Sequence, residues 1–101
     1  GRVVDEDIVA FASVSVVAGE GEIRRIAVMP EHRRQGHGRV FLERLLDELR
    51  ARGAQRVFLE VRASNAAARR LYASAGFVED RIRAAYYRAP TEDGVDLSRE
   101  L

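Results

Sequence analysis

Apolar and polar residues alternate from Ile8 to Val17: Ile8, Ala10, Ala12, Val14 and Val16 fall on one side, and Val9, Phe11, Ser13, Ser15 and Val17 on the other. A period of two predicts a strand, and its second side is only partly polar, as in a sheet covered on both faces. Ahead of it, Val3-Val4 followed by Asp5-Glu6-Asp7 reads as a strand end and a tight acidic turn. Ala18-Gly19-Glu20-Gly21 predicts a hairpin loop, and residues 22–28 a second strand that Met29-Pro30 stops. The period then changes. Leu42, Leu45, Leu46 and Leu49 recur at i, i+3, i+4 and i+7, the stripe of a helix packed on a sheet, and Gly53 closes it. Residues 56–61 form a third run, parallel to strand 22–28 because a whole helix intervenes, with that helix on one sheet face by the right-handed crossover rule. Ser64-Asn65 opens a second helix through Ala75, with Ala68, Leu71, Tyr72 and Ala75 on its apolar stripe and Gly76 at its end. Residues 77–88 are β-compatible, Pro90-Thr91-Glu92-Asp93-Gly94 is turn-rich, and residues 95–101 predict a closing strand antiparallel to the one before. The pattern is α/β (α+β), one domain over residues 1–101, with no repeat, linker or low-complexity segment.

Composition narrows the picture. At 47% hydrophobic and 33% charged residues the chain has a globular composition, and no apolar run approaches the roughly 18 residues of a membrane span. The acidic opening segment excludes a signal peptide, so a cytoplasmic setting is expected. Absence of cysteine removes disulfides, thiol nucleophiles and thiolate metal sites. His32 and His37 lack spaced carboxylate partners, so no metal site is expected. A net charge of +1 and aromatics that form no stacking platform argue against a nucleic-acid binder. The chain opens Gly1-Arg2 and holds one methionine, Met29, the mark of a fragment or of an engineered or processed chain.

Between strand 22–28 and the leucine helix lies Arg33-Arg34-Gln35-Gly36-His37-Gly38-Arg39. Glycine lets backbone approach a ligand closely, and the first N–H groups of a helix have no partners within it. With the helix dipole and three arginines, this turn suits an anion, a diphosphate foremost. An ordinary tight turn with solvated arginines accounts equally for the spacing. His37 reads as an exposed loop residue and His32 as a solvated one.

R-x-x-G-x-G at residues 33–38, followed by N-A-A-A-R-R-L-Y-A-S-A-G-F at residues 65–77, resembles the GCN5-related N-acetyltransferase (GNAT) superfamily. L-E-V-R-A-S-N-A-A-A (residues 59–68) and R-A-A-Y-Y (residues 83–87) look like the bacterial ribosomal-protein alanine N-acetyltransferases, the RimI type. The resemblance covers residues 8–101. It implies a mixed, mostly antiparallel sheet with a splayed parallel strand pair and flanking helices. It also implies acetyl transfer from acetyl-CoA to a protein N-terminal α-amine, alanine of a small-subunit ribosomal protein or another amine. The amides of residues 34–39, with Arg33 beside them, would cradle the diphosphate: Arg34, Gln35, Gly36, His37, Gly38 and Arg39. The pantetheine arm would run along Ile26, Ala27 and Val28 as an added strand does. An N–H near Val28 would hold the thioester oxygen as charge develops on it. Asn65 contacts the coenzyme in the superfamily, although a helix N-cap would explain it alone. Glu60 becomes the general base and Tyr72 the general acid. Solvation of a strand end, or an ion pair with Arg62, is the alternative for Glu60; core packing is the alternative for Tyr72. Tyr86 and Tyr87 would border the acceptor.

Members of the superfamily carry an N-terminal strand and two helices ahead of the part matched, and these elements are expected to be missing here. Strand 8–17 would then expose an apolar patch favouring homo-oligomers. Two functions compete: an acetyltransferase, and a coenzyme A-binding core or scaffold with little turnover.

Overall fold

The computed structural model describes residues 1–5, 10–28 and 36–101. Eight elements follow one another: β1 (Arg2–Asp5), β2 (Ala10–Val17), β3 (Glu20–Val28), α1 (His37–Ala51), β4 (Arg56–Arg62), α2 (Ala66–Ser74), β5 (Val78–Tyr87) and β6 (Glu92–Glu100). They build a six-stranded sheet in the order β1-β2-β3-β4-β6-β5. Only β3 and β4 are parallel; the other neighbours run antiparallel. The sequence anticipates the parallel pair. It does not anticipate that β6 inserts between β4 and β5.

The β2–β3 hairpin closes through Ala18 and Gly19, with φ of +51° and +81°, the twist that suits a two-residue hairpin turn. One side of β2 (Ala10, Ala12 and Val14) is buried against the α1 residues Phe41, Leu42, Leu45, Leu46 and Leu49. Val57, Leu59 and Val61 of β4 and Val95 and Leu97 of β6 join the same core, together with Tyr72, Ala75 and Phe77. Both helices therefore lie on one face of the sheet.

This corrects the expected apolar patch on strand 8–17. The side of β2 that the helices leave uncovered carries Phe11, Ser13, Ser15 and Val17, because successive side chains point to opposite faces. Arg2 lies over the Phe11 ring at 4.7 Å, and Arg24 donates to Ser15 at 3.0 Å. Of that side only Val17, 70% exposed, is a large bare apolar group. Ile8 and Val9 fall outside the described residues.

Helix α1 begins at His37, inside the turn read at residues 33–39. Gly36, at φ +78°, is its N-cap and makes the turn into the helix, so His37 is its first residue rather than a loop residue, and it is half-buried. His32 falls outside the described residues. Helix α2 is capped as predicted: Asn65 Oδ1 accepts from the Ala68 N–H at 3.1 Å.

Candidate active site

The parallel ladder between β3 and β4 runs from Glu20–Arg56 to Ile23–Leu59 and stops there. Both strands continue, β3 to Val28 and β4 to Arg62. Beyond the fork each keeps its outer neighbour: β3 pairs with β2 to Val28, and β4 with β6 to Arg62. The two inner edges thus part, with no strand between them among the described residues. An edge in this state offers backbone N–H and C=O groups to an extended ligand.

Two clefts meet at the fork. On the helix side, a cleft of about 880 Å³ is lined by Ile26 of β3, Gly36, Gly38 and Arg39 at the start of α1, and Asn65 and Tyr72 of the α2 segment, among others. On the opposite side, a cleft of about 610 Å³ lies among Glu22, Phe58, Tyr86 and Asp96. Ile23, Arg24, Leu59, Glu60 and Tyr87 line both.

Alternation along β4 sends Val57, Leu59 and Val61 into the core and leaves Glu60 exposed on the open side. Tyr72 stands on the other side, on the buried stripe of α2. Tyr72 is 3% exposed, and its ring packs edge-on against Phe77, with centroids 5.6 Å apart. Burial pushes its phenol up to about 12, so it carries its proton at any neutral pH.

Arg62, weighed as an ion partner of Glu60, turns elsewhere. It donates to the Pro90 carbonyl at 3.1 Å, pairs with Glu92 at 3.4 Å and lies over the Tyr87 ring at 4.5 Å. Asp96, the cross-strand neighbour of Glu60, is held by Arg81 at 2.6 Å and Arg83 at 2.8 Å. Burial raises the Asp96 carboxyl, and the two arginines more than offset this, leaving it below its usual value.

The first turn of α1 carries no acidic residue, and among the described residues its N-cap, Gly36, makes no side-chain cap bond. A Cβ at Gly36 would meet open space, and one at Gly38 only Leu71 at 3.6 Å, so backbone faces the cleft here. Arg39 is engaged: it donates to Glu43 at 2.9 Å and to Ser74 at 3.0 Å, tying α1 to α2. Ala27 and Val28 lie on β3 beyond the fork. Arg33, Arg34 and Gln35 fall outside the described residues. The structure thus brings Ile26, Gly36, Gly38, Arg39, Asn65, Glu60 and Tyr72 to one cleft. Among the described residues no group of three or more His, Cys, Asp or Glu side chains is arranged to hold a metal ion.

Sequence reasoning gave Arg24 and Asp96 no role. Their only signal is a charge alternating with apolar residues in a strand, which reports a face and not a site. Tyr87 is expected beside the acceptor, and its place in both clefts follows from an irregularity in β5 that no residue pattern marks.

The fold and this forked cleft define an acyltransferase-type domain, and the chain belongs to the Acetyltransferase (GNAT) family, whose profile matches residues 2–77. Among individual proteins it is 54% identical over 85 residues to the [ribosomal protein bS18]-alanine N-acetyltransferase of Escherichia coli K12, covering 84% of this chain and 56% of that protein. The Salmonella typhimurium protein of the same name is 51% identical over 90 residues, 89% of this chain and 60% of the relative. The crystal structure of the Escherichia coli ribosomal-protein-S18-alanine N-acetyltransferase superposes with a TM-score of 0.83 at 48% identity, over 90% of this chain and 60% of that one. The chain therefore spans somewhat over half the length of these relatives.

Proposed function

We propose that this chain is an acetyl-CoA-dependent N-acetyltransferase whose acceptor is the N-terminal α-amine of a protein, alanine of a small-subunit ribosomal protein foremost. The observation that carries the reading is the fork after Ile23–Leu59, where a helix-side cleft with Tyr72 meets an open-side cleft, Glu60 lining both. The acceptor class rests on the relatives named above, which are called bS18-alanine N-acetyltransferases.

The residues present fit acetyl-CoA. The uncapped start of α1 at Gly36 and Gly38 suits its diphosphate, and the unpartnered edge of β3 at Ile26, Ala27 and Val28 suits the amides of its arm. When bound, acetyl-CoA supplies an activated acetyl group as a thioester. Asn65 orders the start of α2 beside the cleft.

An α-amine has a pKa near ~8, so most of it is protonated at neutral pH. Glu60 would pass that proton to solvent through a water, freeing the nitrogen lone pair to bond to the carbonyl carbon, and would accept the second proton that the nitrogen loses as the amide forms. Backbone N–H groups at the unpartnered β3 edge stabilise charge developing on the carbonyl oxygen. As the carbon–sulfur bond breaks, Tyr72 gives its proton to the leaving sulfur. Burial keeps this phenol protonated at neutral pH, so its O–H is available to the leaving sulfur as negative charge develops there.

A second reading, coenzyme A binding with little turnover, draws support from the open sheet face. Among the described residues no helix covers the side to which Glu60 points, so strands alone line the acceptor cleft. Incubation with acetyl-CoA and a peptide beginning with alanine separates the two. Thiol release with a matching acetyl mass on the peptide N-terminus is expected. Thermal stabilisation by acetyl-CoA without thiol release would favour the binding module, and absence of both would refute the site.

A further inference from the structure

The two tyrosines at the end of β5 sit where a regular strand would not put them. Arg83 pairs with Gly94 and Tyr87 with Glu92, so Ala84, Ala85 and Tyr86 stand opposite Asp93 alone. Ala85 adopts φ +49°, and its N–H donates to Asp93 Oδ1 at 2.8 Å, which pins the bulge. Successive residues of a regular strand point to opposite faces, and a bulge re-aims them. Here the rings of Tyr86 and Tyr87 meet edge to face, centroids 5.2 Å apart and planes at 84°. Both line the open-side cleft.

What lies beneath the rings is Gly94. A Cβ built there would fall 2.9 Å from Tyr86 Cδ2, 3.2 Å from Tyr87 Cε2 and 3.3 Å from Tyr86 Cβ. Ring rotation alone cannot clear the last contact, because it involves the first side-chain atom of Tyr86. Gly94 is not among the residues of positive φ, so space and not backbone conformation accounts for glycine at this position. Arg83 stacks on the Tyr86 ring with its guanidinium 5.2 Å from the centroid, while its Nε is held by Asp96. Glycine below, the bulge behind and the arginine stacked on the ring give Tyr86 little freedom despite its exposure.

From this geometry we infer that the Ala84–Ala85 bulge and the bare backbone of Gly94 form a seat that holds the Tyr86 hydroxyl against the Glu60 carboxylate, making Tyr86 a positioning residue for that carboxylate. Both side chains line the open-side cleft, and interaction with the Glu60 carboxylate pushes the Tyr86 phenol above its ordinary value. Arg83 and Tyr87 also act on the Tyr86 phenol, and Glu22, Arg24, Asp80, Arg81 and Asp96 line the same cleft. Only the catalytic consequence rests on the transferase reading; the seat itself does not.

Ultraviolet titration of the three tyrosines tests the seat without turnover. Tyr86→Phe identifies the step belonging to residue 86. Glu60→Gln and Gly94→Ala should each bring that step down towards the midpoint of free tyrosine. A step unmoved by Glu60→Gln overturns the proposal, and this arm stands even if Gly94→Ala fails to fold. In turnover assays Tyr86→Phe should lower kcat by about tenfold or more, as misplacement of a catalytic group does, with KM for acetyl-CoA unchanged. An unchanged kcat overturns the positioning role. Absence of acetyl transfer by the unaltered chain would refute the transferase reading, and the titration would still decide the seat.

Discussion

Ile23 faces Leu59 as the last pair of the parallel ladder, and the next residue along β4 is Glu60. The carboxylate assigned as base therefore stands at the first position where β4 has lost its partner on that side. Loss of pairing creates both the opening for a ligand and the unsatisfied backbone that would bind it.

Glu60→Gln and Tyr72→Phe should each lower kcat by about 10²–10⁴-fold, the usual worth of a general base or acid. Neither side chain is assigned to the coenzyme's diphosphate or to the amides of its arm, so acetyl-CoA affinity, read by thermal shift, should change little. Full turnover by both variants would remove these role assignments.

Tyr72 also predicts an alkaline instability. Its phenol is pushed from 10.0 to about 12 by burial, so the folded state keeps a proton that the unfolded state loses first. The stabilisation is whole below pH 10 and is lost as pH rises through about 12, because the unfolded state binds fewer protons in that interval. The interval corresponds to about 3 kcal/mol. Denaturant unfolding followed across these pH values should show the decline in the unaltered chain and a smaller one in Tyr72→Phe.

The two glycines of the α1 start should respond differently. Gly36 holds φ +78°, where alanine is disfavoured by about 1–2 kcal/mol. Gly38 is helical with only Leu71 near its missing Cβ, so Gly38→Ala should match or exceed the stability of the unaltered chain. Both substitutions put a methyl group where backbone is to meet diphosphate. Calorimetric titration with acetyl-CoA should show weaker binding by Gly38→Ala despite its intact stability.

Asn65→Ala removes the acceptor for the Ala68 N–H and should cost about 1 kcal/mol in chemical denaturation. Asn65→Asp keeps an acceptor oxygen and should recover most of it. If acetyl-CoA binding falls with Asn65→Ala and not with Asn65→Asp, the cap is what orders this side of the cleft.

Much of the architecture is written locally. The alternation along β2, the leucines of α1 and the Asn65 cap each follow from forces acting over a few residues: side-chain direction, helical period and orphan N–H groups. The parallel relation of β3 and β4 also follows, since a helix between two strands reverses the chain once more than a hairpin does. The family motifs at residues 33–38 and 65–77 lie in continuous stretches and are legible for the same reason.

What the sequence could not tell is which side of each strand faces what, and where pairing stops. The side of β2 left uncovered is the one with Phe11, Ser13, Ser15 and Val17 and not the apolar one, which α1 covers, because a period of two gives two faces without naming the neighbour of either. The start of α1 at His37 was hidden by a glycine whose turn and cap roles look alike in one dimension. The fork after Ile23–Leu59 depends on a register between strands 36 residues apart in the chain, and the seat of Tyr86 on Gly94 on one whose flanking pairs, Tyr87–Glu92 and Arg83–Gly94, are 5 and 11 residues apart. Such registers are set by the packing of the whole sheet. Residue identity therefore supplied the carboxylate, the phenol and the glycines, and only the folded chain decided that they share one opening.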